Sequence, residues 1–167
     1  MTVALIPAKA RRAGVVLGAV SAGLLALSAC DKPTPLATVT VGSGSVHTEA
    51  SCYNDGKAIS NSTAQKCLAK KADKVITVST DDTVGFGVDP GLVDDGNGWA
   101  LFLNGQQAEA QPSTATYRSI PAASFFQPDQ TTGQTPKSVQ VAIVESNKTN
   151  PSIRGIWHFE LKMKSSD

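Results

Sequence analysis

The three cysteines are the residues whose type and spacing most clearly predict chemistry. Cys30 follows Leu27, Ser28 and Ala29. Because the two small residues let a signal peptidase approach the backbone, we expect cleavage between Ala29 and Cys30. The thiol of Cys30 can carry a diacylglycerol through its sulfur atom. Cys30 is therefore predicted to be a lipidation site.

The segment before the cleavage point has the organisation of a secretory signal peptide. Its basic head contains Lys9, Arg11 and Arg12, and an uncharged run, 13–27, follows. That run lies at the upper end of the roughly 7–15 residues of a signal-peptide core and is too short to span a bilayer. Head, core and Leu-Ser-Ala-Cys together resemble the bacterial lipoprotein signal, or lipobox. Residues 1–29 are predicted to be removed.

The predicted lipid on Cys30 indicates where the protein is anchored. The basic head is compatible with two export routes. Arg11-Arg12 fits twin-arginine export, but Ala13-Gly14-Val15-Val16 departs from that motif and favours general secretion. Two acyl chains such as palmitate on Cys30 give stable anchoring, since burial contributes about 0.8 kcal/mol per CH₂. We expect a protein anchored to the cell membrane at its extracytoplasmic face.

Removal of the signal leaves 138 residues, enough for a single domain with its own core. It also removes three of the 15 basic residues and none of the 14 acidic ones, which leaves a net charge of −2. No basic run exceeds Lys70-Lys71. Nucleic acid is therefore not an expected partner.

Cys52 and Cys67 are the two cysteines left once Cys30 is acylated, in a compartment that permits disulfides. We predict that they pair and that the bridge stabilises the domain by roughly 3 kcal/mol. A reactive dithiol is the alternative. Such pairs usually have the spacing Cys-x-x-Cys, which is missing here, so the structural bridge is favoured.

Other catalytic or metal-binding patterns are weak. His47 and His158 are the only histidines and have no metal-ligand spacing. No Gly-x-Ser-x-Gly motif is present. Several aspartates are close in sequence, without the spacing of a calcium loop: Asp81, Asp82, Asp89, Asp94 and Asp95. We expect solvated turn carboxylates there, no metal site and no cofactor.

Short apolar runs separated by turn residues predict an all-β fold, an immunoglobulin-like β-sandwich. The last run has the clearest alternation, with Trp157, Phe159, Leu161 and Met163 on one face. A short helix near the disulfide is predicted over 62–72, capped by Ser62 or Thr63. The expected strands are 38–41, 46–50, 74–80, 84–88, 99–104, 115–120, 138–145 and 153–164.

The predicted organisation is a signal peptide over 1–29, a lipidated tether over 30–37 and one sandwich domain over 38–167. The tether contains Pro33 and Pro35, which make it short and fairly stiff. Two long polar loops, 106–114 and 128–137, either connect strands or serve as contact surfaces.

The whole chain is similar to small, Ala- and Thr-rich lipoproteins of uncharacterised function from actinobacteria such as the streptomycetes. The resemblance is carried by Leu-Ser-Ala-Cys at 27–30, Lys-Val-Ile-Thr-Val-Ser at 74–79, Gly-Trp-Ala-Leu-Phe-Leu at 98–103 and Arg-Gly-Ile-Trp-His-Phe-Glu-Leu at 154–161. It implies a lipoprotein with a sandwich fold and implies no catalytic residues.

The predicted function is that of a non-enzymatic module that binds an envelope or secreted protein through its loops or an exposed strand edge. The alternative is a lipoprotein that binds a small ligand or ion for a transporter. A cell-wall enzyme is a third hypothesis, and it needs a pair of carboxylates. Glu49, Glu145 and Glu160 are available, but the sequence selects no pair among them.

Overall fold

A computed structural model describes residues 34–149 and 152–165. The predicted lipidation and cleavage sites at Cys30 and Ala29 lie outside these residues. The described elements, in chain order, are β1 (Leu36–Val41), β2 (Gly44–Glu49), β3 (Cys52–Tyr53), α1 (Asn61–Leu68), β4 (Val75–Val78), β5 (Thr83–Val88), a 3₁₀ turn (Pro90–Leu92), β6 (Asn97–Leu103), β7 (Gln106–Gln107), β8 (Tyr117–Pro121), a second 3₁₀ turn (Ala122–Phe125), β9 (Ser138–Asn147) and β10 (Ile153–Met163).

The strands form two sheets that enclose one main core. The first sheet has the order β2-β1-β5-β8, and the second has the order β3-β10-β9-β6-β7 with β4 also beside β10. All pairings are antiparallel except that of β4 with β10. The predicted all-β sandwich is confirmed. Its immunoglobulin-like connectivity stays a prediction.

The core is built by strands whose apolar residues alternate. On β10, Trp157, Phe159 and Leu161 have no exposed surface and pack between the sheets, as the sequence alternation predicts. On the first sheet, Val39 and Phe86 face them from β1 and β5 and are equally buried. Burial of such side chains stabilises the fold by about 1.5–3 kcal/mol each, so these strands determine how the two sheets pack.

The first strand begins at Leu36, two residues before the predicted start of the domain. The backbone amide of Leu36 donates to the Asp89 carboxylate at 2.7 Å. The indole Nε1 of Trp157 donates to the carbonyl of Pro35 at 2.8 Å. These two long-range hydrogen bonds attach the chain to the sandwich before the apolar alternation begins, which explains why the alternation alone placed the start of this strand, at 38, too late.

The helix α1 covers the outer side of the second sheet and carries the disulfide. Cys52 and Cys67 are bonded, with their Cα atoms 6.2 Å apart, which confirms the predicted pair. Cys67 packs with Ala142 and Ile156 in a second, smaller apolar cluster. The bridge therefore fixes the helix to the sheet as well as closing a chain loop.

The helix differs from its prediction at both ends. It begins at Asn61 and is capped by Ser60, whose side chain accepts a hydrogen bond from the amide of Thr63; the predicted caps at Ser62 and Thr63 were wrong. It ends at Leu68, four residues early. There the chain turns toward β4, and the amide of Ala72 donates to the side chain of Gln140 at 3.1 Å. This tertiary contact outweighs the helix propensity of the Ala/Lys-rich continuation.

Candidate functional site

A groove of about 720 Å³ opens at one end of the sandwich. Its apolar floor is formed by Leu103 at the end of β6, Phe125 in the second 3₁₀ turn and Val139 at the start of β9. Its rim is polar and comes mainly from the loop that joins this turn to β9. The remaining lining residues are Asn104, Ser124, Gln127, Asp129, Thr132, Gln134, Thr135, Pro136 and Lys137.

The strand register places this groove opposite the point where the described chain begins. The strand β1 runs from Leu36 to Val41, and Val41 pairs with Val84 on β5. The adjacent residue on β5 pairs with Pro121, after which the 3₁₀ turn carrying Phe125 begins. The groove therefore lies at the Val41 end of the sandwich and Leu36 lies at the other end.

The floor of the groove is fixed by the core beneath it. The ring of Phe125 is only 7% exposed and packs against Phe86, with ring centroids 5.7 Å apart. Val139 is buried on the inner face of β9. Since each floor residue belongs to the core or to a paired strand, the groove is largely formed before any ligand arrives, as is usual for binding sites.

The polar rim is held by a network inside the loop 127–137. The Asp129 side chain accepts hydrogen bonds from the amides of Thr131 and Thr132, at 2.9 and 2.7 Å, and from the Thr132 hydroxyl. The Asp129 amide donates to the carbonyl of Gln134 at 3.0 Å. The hydrogen bonds from Thr132 and Thr131 lower the pKa of Asp129, so its carboxylate is ionised and committed to the loop.

Several rim side chains have polar groups left over for a ligand. The side chains of Ser124, Gln134, Thr135 and Lys137 make no hydrogen bond with the described residues. They supply two hydroxyls, one amide and one ammonium group. With the apolar floor they form a site suited to a ligand that has both an apolar face and several hydrogen-bonding groups.

A buried carboxyl group lies at the Leu36 end of the core. Glu145 continues the inward-facing series of Val141 and Ile143 on β9 and is only 2% exposed. It sits opposite Trp99 of β6 and Gly155 of β10. Its Oε2 atom has no hydrogen-bond partner among the described residues. Burial raises the pKa of Glu145 to about 7, against the lowering effect of the Arg154 charge.

The surroundings of Glu145 are shaped by a β-bulge and a glycine. The register between β9 and β10 shifts between Ile153 and Gly155, which leaves Arg154 as the extra residue. A Cβ atom on Gly155 would lie 2.3 Å from the Trp157 ring and 3.2 Å from the Oε2 of Glu145. Glycine is therefore required here for Trp157 to lie beside the buried carboxyl.

The three glutamates considered for catalysis are not brought together. Glu145 points into the core, whereas Glu160 is half-buried on the other face of the second sheet. Glu49 is exposed on β2 in the first sheet. Within the described residues these three side chains form no carboxylate pair of the kind that glycoside hydrolysis uses.

The two histidines also lie apart from each other, on different sheets. His47 is exposed on β2, while His158 is 4% exposed on β10 beneath α1. The Ser51 hydroxyl and the Nδ1 atom of His158 are hydrogen-bonded at 2.9 Å, and burial lowers the pKa of His158. These contacts tie the chain before β3 to the sheet, which is a structural role.

Two of the turn aspartates accept hydrogen bonds from backbone amides through their side chains. The Asp82 side chain accepts a hydrogen bond from the amide of Ser79 at 2.7 Å, and Asp89 accepts the one from Leu36 described above. Within 34–149 and 152–165, no three His, Cys, Asp or Glu side chains form a group that could hold a metal ion. Over the same residues, no helix has both the length and the apolar character needed to cross a membrane.

Sequence reasoning identified part of the groove and missed the buried carboxyl. The loop 128–137 was predicted as a connection or contact surface. Its position beside Phe125 and Leu103, with which it lines the groove, had no sequence signal. Glu145 did have one, because the period of two that places Val141 and Ile143 inside continues to it. Comparisons with protein-family models, curated proteins and solved structures find no significant match to this chain.

Proposed function

We propose that this protein is a lipoprotein anchored through Cys30 at the extracytoplasmic face of the cell membrane, where it binds a polar ligand in the groove without covalent chemistry. The observation that carries the binding function is a braced polar rim over an apolar floor, with four polar side chains that make no hydrogen bond to any residue the structure describes. The observation behind the anchor is the sequence of basic head, apolar run and Leu-Ser-Ala-Cys.

The position of the groove fits an anchored binding protein. The described chain begins with Thr34 and Pro35 beside the Leu36 end of the sandwich, only a few residues after Cys30. The groove lies at the opposite end. A tether at Cys30 would therefore leave the groove accessible to components of the envelope or the medium.

An envelope or secreted protein remains a second candidate partner, and one observation favours it. Within the described residues, β2 pairs with β1 alone, and most of its residues are exposed. An open strand edge of this kind can accept an extended segment of another protein by β-strand addition. Ligand binding in the groove and protein binding at the β2 edge therefore involve different surfaces and can be tested separately.

The anchor is tested by Cys30→Ser. The thioether to diacylglycerol cannot form without the thiol, so we expect the variant in the medium or as an uncleaved precursor, with no incorporation of labelled palmitate. Membrane fractionation and metabolic labelling measure both results. Ser28→Ala, which keeps a small residue beside the same cysteine, is the matched control and should stay anchored. Membrane retention of Cys30→Ser at the normal level would contradict the proposed anchor.

The binding site is tested by placing a photo-crosslinking amino acid at Thr132 in the groove, at Ser45 on β2 or at Lys66 on α1 in the anchored protein. We expect a specific adduct from Thr132, whereas Lys66, exposed on the helix, is the control. An adduct to one protein from Ser45 alone would favour the second candidate. Equal labelling from all three positions would contradict both.

A further inference from the structure

We infer that the free edge of β2 pairs with β2 of a second copy of this chain, so that the first sheets of two copies join across a two-fold axis. This inference goes beyond ligand binding in the groove and assigns the β2 edge to a second copy instead of an envelope or secreted protein. It is carried by the outward-facing backbone of β2, by the absence of edge protection, and by the charges that self-pairing brings together.

The backbone groups of every second residue of β2 point away from β1. The two strands pair without a register shift, and Leu36 lies opposite Glu49. The amide of Leu36 donates to the Asp89 carboxylate, and its carbonyl accepts from the Asp89 amide at 3.1 Å. Both backbone groups of Leu36 are therefore turned away from β2. By the alternation of an antiparallel ladder, the amides and carbonyls of Ser45, His47 and Glu49 face outward.

The strand β2 is the least protected edge strand of the described chain. It has six residues and contains no proline, lysine or arginine. The edge strands β3 and β7 have two residues each, and β4 has four. The edge strand β8 carries Arg118 and ends in Pro121. Because proteins normally blunt exposed edges by shortening them or by placing basic residues or proline there, we expect the β2 edge to be covered.

A two-fold axis at Thr48 makes β2 complementary to its own copy. An antiparallel pair centred there brings His47 opposite Glu49 of the second copy, and the same pair recurs on the other side of the axis. In both pairs the imidazole can donate a hydrogen bond to the carboxylate. The Glu49 carbonyl accepts from the Thr48 hydroxyl at 3.2 Å and keeps a second lone pair for the ladder. An axis at His47 would set two imidazoles against each other, so charge complementarity favours the axis at Thr48.

This pairing is compatible with the groove and with the proposed anchor. The residues that line the groove include none from β2, so self-pairing leaves the groove open. The two-fold axis places the Leu36 ends of the two copies at opposite ends of the joined sheet. With the strands lying along the membrane surface, each tether over 30–35 can extend by up to roughly 20 Å to its anchor.

The pairing register is tested by introducing single cysteines into the full-length protein, which is expressed in cells and exposed to a mild oxidant in their membranes. Thr48→Cys places two thiols at the axis, where a Cα separation of about 4.5 Å permits a disulfide, and we expect a reducible dimer. Ser45→Cys is the matched control on the same strand. Its two copies lie roughly 20 Å apart, so it should remain monomeric, as should the unsubstituted protein.

The charge complementarity is tested with two differently tagged copies that are expressed together and purified through one tag. His47→Glu in both copies should lower recovery of the second copy about fivefold or more, because both cross-strand pairs become like-charged. Adding Glu49→Lys should restore recovery, since opposite charges then face each other again. Ser119→Glu, at an exposed position on the β8 edge, is the control and should leave recovery unchanged.

Each contrary outcome identifies what is wrong. If Thr48→Cys forms no more dimer than Ser45→Cys, self-pairing is overturned. A dimer that forms through His47→Cys in place of Thr48→Cys contradicts the pairing of His47 with Glu49. If the species photo-crosslinked at Ser45 is a different protein, β2 binds that protein and self-pairing is overturned. The groove function is tested separately at Thr132 and stands or fails independently of these results.

Discussion

Replacement of Trp157 by alanine is expected to destabilise the protein by about 3–5 kcal/mol, the usual cost of removing a large buried aromatic side chain. The indole has no exposed surface, lies over Gly155 and packs at 6.2 Å from the ring of Tyr53. Its loss leaves a cavity in the main core and removes the hydrogen bond to Pro35. Urea unfolding followed by far-ultraviolet circular dichroism measures the change in the free energy of unfolding.

Two control variants separate the contributions of Trp157. Trp157→Phe keeps an aromatic ring but cannot donate to the Pro35 carbonyl, so a loss of about 1–3 kcal/mol is expected from that unpaired group. Tyr117→Ala removes an aromatic side chain that is 55% exposed, and a smaller effect is expected there. A loss below about 1 kcal/mol for Trp157→Ala would show that this ring does not belong to the core.

The parts of the fold that the sequence predicts well are those in which one local rule decides. Period-two alternation placed Trp157, Phe159 and Leu161 on one face of the last strand, and that face lies in the core. The disulfide followed from counting the cysteines of a chain that we expect to reach an oxidising compartment. Each conclusion needed only residues near one another in the chain.

The features that were missed depend on contacts between distant residues. The start of β1 is set by Asp89 and Trp157, and the early end of α1 by Gln140. The floor of the groove likewise combines Leu103 with Phe125 and Val139. No local sequence pattern encodes contacts between residues so far apart in the chain. The polar loop 128–137 was therefore recognised as a possible contact surface, but the groove that it lines was not predicted.

Glu145 is expected to make stability fall as the pH rises from about 4.5 to above 7. The folded state holds this carboxyl with a pKa of about 7, against an ordinary value of 4.5, because burial disfavours the charged form. The folded protein therefore binds more protons than the unfolded chain in this interval. The stabilisation is complete below the unfolded pKa and is lost as the pH passes the folded pKa; for a shift from 4.5 to about 7 the full loss is about 3.4 kcal/mol at 1.36 kcal/mol per pH unit.

Glu145→Gln measures this contribution because the amide has a similar shape and no titration. Urea unfolding at pH 5 and pH 8 should show the variant gaining about 2–3 kcal/mol relative to the unsubstituted protein between the two values. Other titrating groups, including His158 and Tyr53, are present in both proteins, so the difference isolates the carboxyl. Glu49→Gln, at an exposed position, is the matched control and should show no such gain. If the gain were also missing for Glu145→Gln, the carboxyl would be ionised in the fold at neutral pH, most simply by pairing with Arg154 across the bulge.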